Sequence, residues 1–371
     1  MKDAPTANTT FALFPSMRDN RCMSEQNGTL RVGVIGAGAF GRNHARVYRQ
    51  LAADPASRLE FVGVADADFA RARAVATEFK TKAFLSAAEL IAGGVDAASV
   101  AVPTVLHLDV ARELMQAGVD VLIEKPLAAS VTEADELITV AEAYGRIAQV
   151  GHLERFNPAV RATLPLLTRP MFFEVHRLSV FTPRSLDVDV VLDLMIHDVD
   201  IVLTFAQSKV KEIRAVGLPI LSKKVDIANV RIEFDSGCVA NFTASRVSTE
   251  RVRKLRFFQP RQYISLDYSR QDVLVLTVDD ETPEPLGLDP FNPASVAASA
   301  FPGITPSKPT VEQQEPLKAE ITSFLDAVRR RSQPEVTLQA GRDALAIATQ
   351  IVEAISAHGK RAHLSELSRT E

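Results

Sequence analysis

The sequence predicts a doubly wound parallel α/β domain followed by an α+β domain with a mainly antiparallel open sheet. Three observations carry this expectation. An apolar run at 32–35 leads into Gly36-Ala37-Gly38-Ala39-Phe40-Gly41 and then into a helical pattern as far as Leu51. Apolar strand-like runs then alternate with amphipathic helices up to residue 150, the pattern of a parallel sheet covered on both faces. Beyond it, strand-like runs lie closer together, and Asp235-Ser236-Gly237 joins two of them in hairpin fashion.

Taken in order, residues 1–29 are polar and rich in Thr, Asn and Ser, which predicts a disordered tail, with Met23 a second candidate start. The first domain, 30–150, is read as strands at 32–35, 59–65, 98–102, 119–123 and 146–150 with helices at 70–79, 107–117 and 131–143. The second, 151–335, is read as strands at 171–181, 210–216, 227–234, 238–245, 255–258 and 263–267, interrupted by a helix at 190–205. Its segment 281–316 holds eight prolines and reads as a partly extended loop. A helix at 317–331 closes that domain, and a last helix within 336–360 is expected to pack back.

With 371 residues, 46% of them hydrophobic and 24% charged, the chain is long enough for two domains with buried cores. Its net charge of −4 gives no electrostatic reason to hold a polyanion, so no nucleic-acid partner is expected. Two cysteines, Cys22 and Cys238, make no disulfide framework and no CxxC pair, which suits a reducing compartment. No run approaches the ~18 consecutive apolar residues of a membrane span, so a cytoplasmic location is expected.

The glycine-rich turn sits where the dinucleotide fingerprint requires it, after a strand and opening a helix. Gly36 permits the tight turn, Gly38 lets the backbone approach a pyrophosphate, and Gly41 allows close helix-strand packing, while the helix start at Ala39 and Phe40 offers its amides to the phosphates. Asp66 ends the second strand, at a separation comparable with the ~20 residues of the fingerprint. Its carboxylate suits ribose hydroxyls and repels a 2′-phosphate, which predicts NAD rather than NADP.

Chemistry needs a site as well as a cofactor. Glu124-Lys125-Pro126 follows the strand at 119–123, and ligands of such sheets lie beyond the carboxyl ends of the strands. The triplet also reads as an exposed loop closed by a helix-starting proline. Asp193 and His197 are spaced i, i+4 on an otherwise apolar helix, so both can project from one face, with a neutral imidazole available to take a proton. A cap and a satisfied core histidine would show the same spacing. No metal site is assigned.

Together, the fingerprint, the Glu-Lys-Pro triplet and the Asp-x-x-x-His helix in a second α+β domain resemble the glucose-fructose oxidoreductase / inositol dehydrogenase (Gfo/Idh/MocA) family over about residues 30–360. The resemblance implies an NAD-dependent dehydrogenase of a sugar or cyclitol hydroxyl, whose open-sheet domain often makes homo-oligomer contacts, as a dimer or tetramer. It implies that Lys125 and His197 are the catalytic groups, with Asp193 as their supporting carboxylate. Pro103, Thr104 and His107 resemble the segment beneath the nicotinamide, with Glu124 and Lys125 also on the cofactor.

The stretches 151–158 and 189–198 look like the subgroup of UDP-N-acetylglucosamine 3-dehydrogenases, which implies oxidation of the sugar 3-hydroxyl to a 3-keto nucleotide sugar for a partner aminotransferase in amino-sugar or lipid A synthesis. Arg155, Arg177 and Arg184 are candidate diphosphate ligands, since arginine's forked donors suit phosphate, although ordinary surface arginines share that composition. The basic stretch Arg246, Arg251, Arg253, Lys254, Arg256 alternates with apolar residues and reads as a solvated or subunit-contact face. Two alternatives stand beside this reading: a dehydrogenase of a free sugar, cyclitol or diol, and a non-catalytic NAD-binding regulator.

Overall fold

The computed structural model describes residues 28–182, 188–278 and 304–362. The tail at 1–27 and most of the proline-rich segment lie outside the described residues, as does Arg184. The first sheet has six parallel strands in the order β3 (Lys82–Phe84), β2 (Leu59–Ala65), β1 (Leu30–Ile35), β4 (Ala97–Val100), β5 (Asp120–Glu124), β6 (Ala148–Gly151). This is the 3-2-1-4-5-6 order of a dinucleotide fold, so the switch point lies where β1 and β4 adjoin. The central strands are buried on both faces, which is why their sequences are continuous apolar runs.

Helices α1 (Ala39–Ala52), α2 (Phe69–Glu78), α3 (Ala87–Ala92), α4 (His107–Gln116) and α5 (Val131–Ala143) connect these strands. Local chemistry starts two of them. Ser86 and Ser130 accept from the amides of Glu89 and Glu133, whose carboxylates accept from the amides of Leu85 and Ala129.

The second sheet has eight strands, ordered β14 (Ile304–Ser307), β13 (Asp272–Val278), β12 (Gln262–Asp267), β11 (Val252–Gln259), β7 (Phe172–Val180), β10 (Val239–Ser248), β9 (Ile227–Phe234), β8 (Val210–Leu218). Every pairing is antiparallel except β7 with β10. The sequence reading assigned neither β13 nor β14; the latter lies inside the proline-rich segment and holds the sheet edge, where a proline disturbs no ladder on its outer side. Helix α6 (Pro158–Thr163) leads in from the first domain, and α7 (Ile196–Ala206) covers the inner face, where Val199, Val202 and Phe205 pack with Phe173, Phe242 and Phe257.

The helix expected to close the second domain does something else. Its counterpart α8 (Pro316–Arg330) packs on the first sheet: Ile321, Phe324, Leu325 and Val328 join Val32, Val34, Tyr48 and Leu122 in one core. An amphipathic stripe states that a helix must be covered, not by which layer, and the face beside α1 was the one left open. The final helix α9 (Leu338–Arg361) spans both cores, with Leu338 and Leu345 in the first and Ala348, Ile351 and Ile355 in the second. Gly341 makes this possible, because a Cβ there would lie 2.7 Å from the Val150 side chain of β6. Among the described residues no helix is long and apolar enough to cross a membrane.

Candidate active site

The turn after β1 leaves no room for side chains at two of its glycines. Gly36 has φ +96°, and a Cβ there would stand 2.3 Å from the Ala101 carbonyl oxygen; one on Gly41 would stand 1.6 Å from that of Gly36. Gly38 faces open space instead. It begins α1 with no side-chain cap, and the first turn carries no acidic residue, so the amides at Ala39, Phe40 and Gly41 are left for an anion. This cradle fits a dinucleotide pyrophosphate.

Asp66 stands at the carboxyl end of β2, its Oδ2 accepting from the Ala37 amide at 2.7 Å and its Oδ1 from the Asp68 amide at 2.8 Å. The carboxylate is thereby fixed to the glycine-rich turn, with Arg71 3.8 Å away. Pro103 is exposed and Thr104 half-buried in the short turn after β4, which lies against Gly36 through Ala101. His107 is different: it is 1% exposed, and its ring nitrogens meet the carbonyls of Val102 at 3.0 Å and of Pro126 and Leu127 at 3.0 and 3.2 Å. It ties the turn after β4 to the loop after β5.

Glu124 and Lys125 sit at the end of β5, and the Lys125–Pro126 bond is cis. The Glu124 Oε1 lies 2.7 Å from His44 Nε2, while His44 Nδ1 reaches Ser99 Oγ at 2.9 Å and Tyr48 completes the row at 2.8 Å from the same oxygen. Burial pushes the Glu124 carboxyl up, but the His44 hydrogen bond and charge, with the charge of Lys125, hold it below the usual carboxylate range. Glu320 of α8 is wholly buried, its carboxylate has no hydrogen-bond partner among the described residues, and burial together with Glu124 raises it well above that range. The sequence reading named none of His44, Ser99, Tyr48 and Glu320. The available signal was polarity on buried faces: His44 falls on the apolar stripe of α1, and Ser99 interrupts the apolar β4.

Lys125 crosses to the second domain. Its Nζ donates to the Asp193 backbone oxygen at 2.7 Å and stands 3.6 Å from Asp193 Oδ1, with only 9% of the side chain exposed. Burial lowers its pKa, opposed by the charges of Asp193 and Glu124. Residues Val191–Met195 form a π-helical turn before α7. A π turn holds more residues than an α turn, so the i, i+4 spacing no longer stacks Asp193 beneath His197. Asp193 therefore pairs with Lys125, and among the described residues no hydrogen bond joins it to His197. Among the described residues the buried Nδ1 of the imidazole has no hydrogen-bond partner, and burial together with the charges of Lys125, Arg177, His152 and Arg253 pushes its pKa well below the usual histidine value. It is neutral at physiological pH.

Both described arginines proposed for a diphosphate are already engaged. Arg177 is 2% exposed; it grips Asp198 with Nε at 2.6 Å and Nη2 at 2.9 Å and donates from Nη1 to Glu154 at 3.1 Å. Arg155 holds Asp200 in the same forked manner, at 2.7 and 2.6 Å. These charge-assisted pairs bind the first turns of α7 to the segment after β6 and to β7; they engage all three nitrogens of Arg177, and Nε and Nη2 of Arg155. His152, also buried, lies 4.0 Å from Asp200, and burial lowers its pKa as well.

Comparison with known proteins follows the same outline. Residues 30–152 match the model of the GFO/IDH/MocA oxidoreductase family, NAD-binding Rossmann fold, and residues 170–261 match the GFO/IDH/MocA C-terminal domain. A UDP-N-acetylglucosamine 3-dehydrogenase of Acidithiobacillus ferrooxidans is 34% identical over 333 residues, covering 90% of this chain and 99% of that protein. Its solved structure superposes with a TM-score of 0.79 at 35% identity, covering 88% and 98% of the two chains. An inositol 2-dehydrogenase of Acidothermus cellulolyticus is 29% identical over 197 residues, 51% of this chain and 57% of its own. A levoglucosan dehydrogenase solved with NADH and levoglucosan, at 17% identity and TM-score 0.74 over 88% of this chain and 97% of its own, shares the fold.

Proposed function

This chain belongs to the GFO/IDH/MocA oxidoreductase family and uses NAD, and from that premise we propose that it oxidises the 3-hydroxyl of UDP-N-acetylglucosamine to the 3-keto nucleotide sugar. The observation that carries the chemistry is the pairing of a largely buried Lys125 with the partly exposed Asp193, within electrostatic reach of a neutral His197, at the carboxyl end of β5. The choice of substrate rests on the full-length relative, whose name states that activity.

The bound nicotinamide supplies a hydride acceptor at the alcohol carbon. Everything else falls to the chain. Lys125, clamped by the Asp193 carbonyl and carboxylate, presents an ammonium to the oxygen on which negative charge develops. His197 is uncharged and so has a lone pair for the hydroxyl proton. Glu124, anchored by His44 in α1, couples the lysine loop to the helix that opens the cofactor cradle. The cradle holds the pyrophosphate at the α1 start, and Asp66 takes the adenosine ribose.

A 3-keto sugar invites transamination, so the product is passed to an aminotransferase in amino-sugar or lipid A synthesis, in the cytoplasm. Homo-oligomer contact is assigned to the outer face of the second sheet, where Phe172, Phe258 and Tyr263 form a row with ring centroids 5.8 and 5.1 Å apart.

Two results test this. Purified protein with NAD is expected to form NADH with UDP-N-acetylglucosamine and not with free N-acetylglucosamine, glucose or myo-inositol; turnover of a free polyol alone would remove the nucleotide-sugar assignment. Asp66→Ala is expected to lower the ratio of kcat/KM for NAD over NADP by about 10- to 100-fold, the worth of charge-assisted hydrogen bonds to the ribose. An unchanged ratio would take Asp66 out of the cofactor site.

A further inference from the structure

With Arg155 and Arg177 committed to carboxylates, the second domain needs another cation if it is to hold an anionic substrate, and the structure offers one. Arg253 of β11 lies directly opposite Arg177 of β7 in the strand register. The alternation of β11 puts Arg253 on the same face as buried Leu255 and Phe257, the inner face that looks toward α7, and not on the solvated or subunit-contact face expected of the basic stretch.

Three of its neighbours in that stretch are neutralised, and Arg251 is exposed. Arg246 pairs with Asp226 at 3.6 Å, Lys254 with Asp267 at 3.8 Å and Arg256 with Glu174 at 3.2 Å. Arg253 is half-buried, and among the described residues its buried Nε has no hydrogen-bond partner and no carboxylate reaches it within ion-pair distance. Asp198 and Glu154 act on it only through space: both Asp198 oxygens meet Arg177, and those of Glu154 meet Arg177 and Asn157. Burial and the adjacent Arg177 both disfavour its charge, an arrangement that costs stability until an anion arrives. The same guanidinium charge acts on His197, which places Arg253 within electrostatic reach of the reacting group.

We propose that Arg253 is the substrate-anion ligand of this enzyme and takes the diphosphate of the nucleotide sugar while the sugar hydroxyl lies at Lys125 and His197. This rests on the nucleotide-sugar reading above and deepens it. The fork of a guanidinium matches two phosphate oxygens, and a site that waits unneutralised beside the catalytic pair selects for substrates bearing an oxyanion.

The test is calorimetric titration of the NAD-loaded full-length protein with UDP and with UMP, alongside steady-state kinetics on UDP-N-acetylglucosamine, for the wild type, Arg253→Met and Arg253→Lys. In Arg253→Met the Kd for UDP and the KM for UDP-N-acetylglucosamine are expected to rise about 10- to 100-fold, far more than kcat falls. Arg253→Lys, which keeps the charge and loses the fork, is expected to lie between, and guards against a folding defect of the methionine variant. UDP binding by Arg253→Met or Arg253→Lys equal to that of an active wild type overturns the arginine assignment alone. A wild type that binds NAD but neither binds UDP nor turns over UDP-N-acetylglucosamine overturns the substrate reading and this proposal with it.

Discussion

Lys125→Met is expected to lower kcat by about 10²- to 10⁴-fold while NAD binding and thermal unfolding stay close to wild type. Methionine keeps most of the buried stem and removes only the ammonium. Stability should survive because the partner left behind, Asp193, is 30% exposed and can be hydrated, and because the lysine itself was held against a burial penalty. The loss should fall on turnover, since the charge acts on an oxyanion that forms only during reaction. Stopped-flow measurement of NADH formation with saturating substrate checks it; a variant within threefold of wild type would remove Lys125 from the chemistry.

Arg177→Met is expected to destabilise the protein by about 3–5 kcal/mol, because it strands two buried carboxylates, Asp198 and Glu154. Burial already raises the Asp198 pKa, and Arg177 is the group that holds it back. Without the arginine, Asp198 in the folded state binds its proton more tightly than in the unfolded chain, where an ordinary aspartate pKa applies. The folded variant then carries more protons than its unfolded form, so its stability falls as pH rises and recovers as pH is lowered toward about 5. Urea unfolding of both proteins at about pH 8 and about pH 5 checks the size and the sign. A diphosphate-binding arginine would behave oppositely, weakening substrate binding and leaving the unfolding midpoint alone.

That contrast shows where sequence was informative. The strand, the Gly36–Gly41 turn and the helix after it are local, and so is Lys125 at the end of an apolar strand; their consequences follow from neighbours within a few residues. Which carboxylate an arginine meets is a tertiary matter: Arg177 finds its partners 21 and 23 residues away, and Arg155 finds Asp200 45 residues away. Composition showed three arginines suited to phosphate, and only packing showed two of them spent.

Two other differences share that cause. The Asp193–His197 spacing was read with α-helical geometry, and the π turn at Val191–Met195 re-aimed the aspartate toward Lys125. The α8 stripe was legible, but its docking on α1 depended on which face the first sheet left uncovered. Glu320 on that stripe, buried behind Glu124, has no signature beyond a charged residue in an apolar row.

The central claim is that the Lys125–His197 site removes hydride from C3 of the sugar of UDP-N-acetylglucosamine. Turnover of the substrate deuterated at C3, followed by mass analysis of the cofactor, tests it most directly. NADH one mass unit heavier is expected from the wild type, with a slowed rate of formation, and from Lys125→Met the same labelled NADH formed about 10²- to 10⁴-fold more slowly. Unlabelled NADH from that substrate, or label arriving only from another ring position, would contradict it.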